Sequence, residues 1–264
     1  MNIRYMAVLS AAGLCAMASA AAVADDRVDI SSDCSGLPQH AVLQSALTKA
    51  RDDMPNGGFG LNMWGTIVNR DGIVCAVAFT GDNRGDQWPG SRVISAQKAN
   101  TGNAFSLPGL ALSTANLYSA VSPGGPLYGL QHSNPVNTNV AYGGNAADYG
   151  TSNDPMVGGK IGGINVFGGG FALYNSHRQI VGGLGVSGDS SCADHNIGWK
   201  TRHILLLDYV PAGVSGDAKR RDNIVYDITP QPGQQEGVSA KGWGHPVCSE
   251  EATAVAATLP ANRP

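Results

Sequence analysis

The stretch Gly65-Thr66-Ile67-Val68-Asn69-Arg70-Asp71-Gly72-Ile73-Val74-Cys75-Ala76-Val77-Ala78-Phe79 decides the fold class. Asn and Asp side chains bond to their own backbone, and Gly supplies the left-handed conformation of a tight reversal, so Asn69–Gly72 reads as a turn. The runs on either side, Leu61–Val68 and Ile73–Phe79, are β-branched and apolar, which makes the unit a β-hairpin. A polar loop, Gly81–Gly90, leads from it into a helix capped by Ser91 and running to about Phe105. The same plan returns further on. Phe171–Asn175 and Ile180–Ser187 flank the turn Ser176-His177-Arg178-Gln179, and a second polar loop leads into a helix from Cys192 to about Leu207. Ser191 and Asp194 have capping-box spacing at its start. Adjacent antiparallel strands with helices on one face give an α+β layer.

Outward from these units the pattern weakens. Residues 35–54 predict a helix with Ser35 as cap, Pro38 in the first turn, and Leu43, Leu47, Ala50 and Met54 on one face. A short helix is expected near Leu110–Val121. Residues 122–163 are dense in Gly, Pro, Asn and Tyr without a period, and an irregular stretch of that length in a compact domain is a binding loop, lid or subunit contact. The tail after Asp208 reads as mostly irregular, with one strand at Asn223–Ile228. The expected organisation is a leader at 1–24, an α+β domain at 25–207 with an insertion at about 122–163, and an irregular extension at 208–264.

The leader reads as an export signal. Arg4 precedes an uncharged stretch from Tyr5 to Val23, and Ala18-Ser19-Ala20 and Ala22-Val23-Ala24 are competing cleavage sites, with cleavage placed near Ala24. The expected location is therefore periplasmic or secreted, with no membrane span in the mature chain. A formal net charge of −3, made one unit more negative by loss of Arg4, carries no electrostatic footprint for nucleic acid. Cys34, Cys75, Cys192 and Cys248 remain after cleavage, and an even number in an oxidising compartment reads as two disulfides with three possible pairings. Cys34–Cys75, tying the N-terminal segment to an early strand, and Cys192–Cys248, pinning the tail, are preferred; the sequence leaves the choice open.

The hairpin Gly65–Gly72, the segments Ser91-Arg92 and Ala96-Gln97-Lys98-Ala99, and the glycine-rich blocks Gly168-Gly169-Gly170-Phe171 and Ile180–Gly188 together resemble the GlcG/HbpS family of haem-binding proteins, over roughly Leu37 to Leu207. The resemblance implies a profilin-like fold, an antiparallel sheet flanked by helices, in a homo-oligomer. It also implies ligand binding, with haem or iron the ligand of some exported members. The four cysteines, the long central loop and the C-terminal tail depart from the short members.

Several residues are candidates for holding a ligand. His195, Trp199 and Arg202 share a helix face that could line a haem or carboxylate pocket, with His195 the candidate ligand to iron. His132 in the central loop, with Tyr128 and Tyr142 nearby, is a second axial candidate. No C-x-x-C-H occurs, so any haem is held reversibly. Arg92 and Lys98 are candidate cationic partners of an acidic ligand. Ser187 and Gly188 open a loop whose backbone N–H groups sit at a helix N-terminus, where anions bind. Gly183-x-Gly185-x-x-Gly188 matches the dinucleotide fingerprint as a string, but inside a hairpin strand such glycines serve close approach of a backbone or ligand. Cys192-x-x-His195 and His245-x-x-Cys248 have spacings compatible with zinc, and export favours the disulfide instead. No nucleophile elbow is present. The leading expectation is an exported, non-enzymatic protein that binds haem, iron or a small carboxylate. The pocket is expected at the junctions Gly81–Lys98 and Ser187–His203. The rival is an exported enzyme or accessory subunit acting on a small organic acid or redox partner through His195 and Asp194.

Overall fold

A computed structural model of the chain describes residues 33–264. The expected export leader and its two candidate cleavage sites lie outside the described residues. The chain runs α1 (His40–Asp52), β1 (Trp64–Asn69), β2 (Val74–Phe79), α2 (Ser91–Ala104), α3 (Tyr118–Val121), α4 (Leu130–Ser133), α5 (Thr138–Tyr142), β3 (Gly170–Tyr174), β4 (Ile180–Ser187), α6 (Ser191–Ile204), β5 (Ile228–Gln231), β6 (Gln234–Ser239) and α7 (Glu250–Thr258). Short 3-10 turns occupy Thr114–Leu117 and Ala146–Asp148.

Both predicted hairpins form. In the first turn Asn69 Oδ1 accepts from the N–H groups of Asp71 and Ile73 at 3.0 and 2.9 Å. Gly72 takes the left-handed conformation, with φ +77°. The hairpins join through their inner strands, Thr66 opposite Gly185 and Ile67 opposite Leu184, giving an antiparallel sheet in the order β2-β1-β4-β3.

Helices cover both faces of this sheet, not one. Successive residues of a strand point to opposite faces. Leu184 and Val186 of β4 pack in one core with Leu43 and Leu47 of α1 and Ile197 of α6. The alternate positions Gly183 and Gly185 lie under α2, where a Cβ would run into the backbone of Ala99 and Ser95. Neither face of the sheet is left to solvent, and every residue of β1 is buried. The central segment ties onto the start of β2 at its outer edge, with Val74 N–H donating to Gly159 O and Gly158 N–H to Val74 O, both at 2.9 Å.

Local expectations shift at several ends. α1 starts at His40 rather than Ser35, and Met54 is 55 % exposed while Leu43, Leu47 and Ala50 are buried. Ser91 is the first residue of α2 and Gly90 its N-cap. Ser190, not Ser191, caps α6, its Oγ accepting from Ala193 N–H at 3.3 Å, so no capping box forms with Asp194. The tail is more ordered than the sequence reading. Its strand lies at Ile228–Gln231, in a hairpin with β6, rather than at Asn223–Ile228, and α7 is a helix where the pattern predicts irregular chain. The local signal for α7 was present: Ser249 caps it, Glu250 and Glu251 favour the first turn, and alanines fill it. The disulfides are Cys34–Cys75 and Cys192–Cys248.

Candidate functional site

The candidate residues fall into three separate places. Lys98 from α2 and Ser187 and Gly188 from the end of β4 meet around Asp194 of α6. Lys98 Nζ donates to Asp194 Oδ2 at 2.7 Å and to Val186 O at 3.2 Å. Asp194 Oδ1 accepts from the N–H groups of Gly188 and Asp189 at 3.0 and 2.9 Å. Asp189 in turn accepts from Phe59 and Leu61 N–H. The loop donors that a ligand anion would use are thus taken by the chain's own carboxylates. Burial pushes the Asp194 carboxyl up to about 6, against the Lys98 ammonium beside it.

His195, Trp199 and Arg202 do cluster, but beneath the C-terminal extension. Arg202 makes a two-pronged ion pair with Asp222 at 2.6 and 2.8 Å, both side chains fully buried. Its guanidinium stands 4.7 and 4.8 Å from the ring centres of Phe171 and Trp199. Trp199 Nε1 donates to Pro260 O at 2.9 Å. His195 Nε2 lies 3.0 Å from Asn223 Oδ1 and 3.1 Å from Ile224 N, while its Nδ1 has no hydrogen-bond partner among the described residues. Burial lowers the His195 pKa to about 3. The imidazole is enclosed by Phe171, Trp199 and the extension. His132 stands apart, exposed on α4.

Arg92 defines the third place. Its Nε donates to Asp154 Oδ2 and its Nη1 to Ala141 O, both at 2.8 Å, and Nη2 closes the fork on Asp154 Oδ1. The guanidinium lies 3.7 Å from the centre of the Tyr149 ring. This tie fastens the central segment over the start of α2 and leaves an open cleft of about 570 Å³ beside it. Trp64, Pro89, Val93, Tyr142 and Tyr149 give the cleft flat apolar walls. Arg84, exposed and in no ion pair with a described residue, stands at its lining. The junction after the first hairpin therefore lines a cleft, and the junction after the second is packed shut. The sequence reading did not single out Trp64, Arg84 or Tyr149. The signals that could have found them are the polar loop 81–90 and the tyrosines of the aperiodic segment.

Near the start of α6 the Cys192–Cys248 disulfide lies beside His245. Cys192 Sγ is 4.0 Å from His245 Nδ1, and Ser191 Oγ is 2.7 Å from Nε2. Burial lowers the His245 pKa to about 4. His195, the fourth member of the zinc spacing, is committed to Asn223 instead.

A four-stranded antiparallel sheet between helices, with an aromatic cleft at one hairpin–helix junction, defines an α+β fold class with a candidate small-molecule pocket. The chain belongs to the family described as haem degrading protein HbpS-like, whose model matches residues 39–201. Among solved structures it is similar to the Klebsiella pneumoniae protein ORFY, at 20 % identity over 64 % of this chain and 90 % of that one, with a TM-score of 0.43. It is also similar to a PduOC:heme complex, at 22 % identity over 62 % and 89 %, TM-score 0.42. A third is HbpS, at 14 % identity over 63 % and 86 %, TM-score 0.38. No curated protein matches the sequence.

Proposed function

We propose that this chain is a haem-binding protein and that its haem seat is the cleft between β1, the start of α2 and the central segment. The cleft itself carries the reading. Its volume of about 570 Å³ falls in the range of small-molecule and cofactor sites, about 300–1,000 Å³. Its walls suit a flat macrocycle: Tyr149, held in place by Arg92, faces a lining that includes Trp64 and Val93. Arg84 offers a cation to a propionate, and the Tyr142 hydroxyl offers an oxygen donor for iron, a ligand type that haem proteins use, while the Tyr149 hydroxyl is engaged with Tyr142 O and Gly143 O. Haem would supply the iron chemistry; the chain's residues orient it, partly exclude water and neutralise its carboxylates.

The two disulfides support action outside the cytoplasm. Self-association is supported by an apolar groove between α1 and the end of α6, where Val42, Ile204 and Leu206 are exposed. A binding rather than catalytic role is supported by Asp194 and His195, whose groups are buried and engaged with Lys98 and Asn223.

Haemin titration followed in the Soret region tests the assignment. The expected result is a saturable shift at one haemin per chain, weakened at least tenfold by Tyr142→Ala and by the plugging variant Ala146→Trp, and unchanged by His132→Ala. A wild type without a saturable Soret shift, or an Ala146→Trp protein that binds as well as wild type, rejects the cleft as the haem seat. Because the family description names haem degradation, the same titration with a reductant present follows whether the band decays. A sedimentation profile at monomer mass would remove the self-association claim.

A further inference from the structure

Cys192, His245 and Cys248 bring their donor atoms within 4.8 Å of one another, away from the proposed haem cleft. Cys192 and His245 are buried and Cys248 is exposed, so the group meets solvent on one side. Joined as a disulfide, the two sulfurs are not metal ligands; as thiolates they are. A tetrahedral zinc-type ion, with bonds of about 2.3 Å to sulfur and about 2.0 Å to nitrogen, spaces its ligands roughly 3.5 Å apart or slightly more. Cys192 Sγ already stands 4.0 Å from His245 Nδ1. The cysteine Cα atoms are 6.0 Å apart, which lets side-chain rotation separate the sulfurs with little backbone movement.

His245 is held in a way that serves both states. With the disulfide closed, Nδ1–H is assigned as donor to Pro246 O at 2.7 Å, and Nε2 accepts from Ser191 Oγ at 2.7 Å. A hydroxyl both donates and accepts, so a metal at Nδ1 leaves the ring proton on Nε2, donating to Ser191 Oγ. Ser191 is itself fixed by the Gly168 N–H at 2.9 Å. Such a second hydrogen bond is what orients a metal-bound imidazole.

We propose that Cys192, His245 and Cys248 form a redox-gated site for a zinc-type divalent cation, shut as the disulfide and opened by reduction. A dithiol reductant delivers two electrons to the S–S bond and is oxidised to its own disulfide. Each freed sulfur takes one proton to become a thiol, and metal binding displaces both protons. The three protein donors leave a fourth position for water or an external ligand.

Co2+ is the probe. Full-length mature protein is reduced anaerobically with a phosphine, desalted and titrated with Co2+, with circular dichroism recorded alongside. One equivalent should give thiolate-to-cobalt charge transfer and the strong visible bands of tetrahedral Co2+, and the oxidised protein should give neither. Cys192→Ser and His245→Ala should each weaken binding at least tenfold. Cys34→Ser, remote from the group, should leave it unchanged. A reduced, folded wild type without the tetrahedral spectrum overturns the proposal. So does a reduced chain that unfolds, or a Cys192→Ser protein that binds Co2+ as tightly as wild type.

Discussion

Gly185 shows how one residue can be read correctly in kind while its partner stays hidden. Its place inside a strand called for close approach of a backbone or ligand, and what approaches is α2: a Cβ would collide with Ser95 O and Ala99 N. Gly185→Ala should therefore destabilise the fold by about 3 kcal/mol or more, since backbone cannot yield as a flexible side chain does. Gly109→Ala, where no atom lies within 4 Å, should stay within about 0.5 kcal/mol. Urea denaturation of the two variants checks the contrast, and equal midpoints would refute the packing argument. His195 illustrates the opposite case. A helix face of imidazole, indole and guanidinium looked like a pocket wall, and the tail that encloses it reads from the sequence as mostly irregular.

At the scale of elements, the tie between α2 and the central segment rests on Arg92 and Asp154, whose side chains are 2 % and 0 % exposed. Removing one partner of a buried pair leaves an uncompensated charge, so Arg92→Ala should cost about 3–5 kcal/mol. It should also raise amide exchange across residues 141–156, because Ala141 O and the Tyr149 ring lose their contact with the guanidinium. Arg92→Lys should recover only part of this, since an ammonium lacks the planar fork. Exchange in Arg92→Ala that matches wild type over that segment would show the loop to be held by other contacts. Nothing local in the sequence pairs residues 62 positions apart, so Asp154 was invisible before the fold was known. Arg92 itself reads from the sequence as a candidate cationic partner of an acidic ligand, and the acid it meets is the chain's own Asp154.

For the whole molecule, three buried groups set the acid response. The folded chain holds His195 and His245 at about 3 and 4, below their ordinary 6.5, and Asp194 at about 6, above its ordinary 3.8. Between about pH 4 and 6 the unfolded chain takes up protons on both histidines that the folded chain refuses. The folded chain takes up one on Asp194 that the unfolded chain refuses. The balance is one proton in favour of the unfolded state, so stability rises with pH across this window by roughly 1.4 kcal/mol per unit. Calorimetry should show Tm falling steadily from pH 6.5 to pH 4.5. A Tm that is flat or climbs on acidification would mean that these groups are not buried as described.

Turn chemistry and strand pattern act over a few residues, so the sequence alone determined both hairpins, the helices that follow them and hence the α+β class. Cysteine parity, read with an expected export leader, pointed to two disulfides. Only the tertiary structure decided which face each helix covers, which anion-binding donors are consumed internally, and which junction stays open as a cleft. Those outcomes depend on contacts between residues far apart in the chain, such as Lys98 with Asp194, Arg92 with Asp154 and Arg202 with Asp222. A charge that is free to meet a ligand and one already neutralised by a distant partner look the same until the chain is folded.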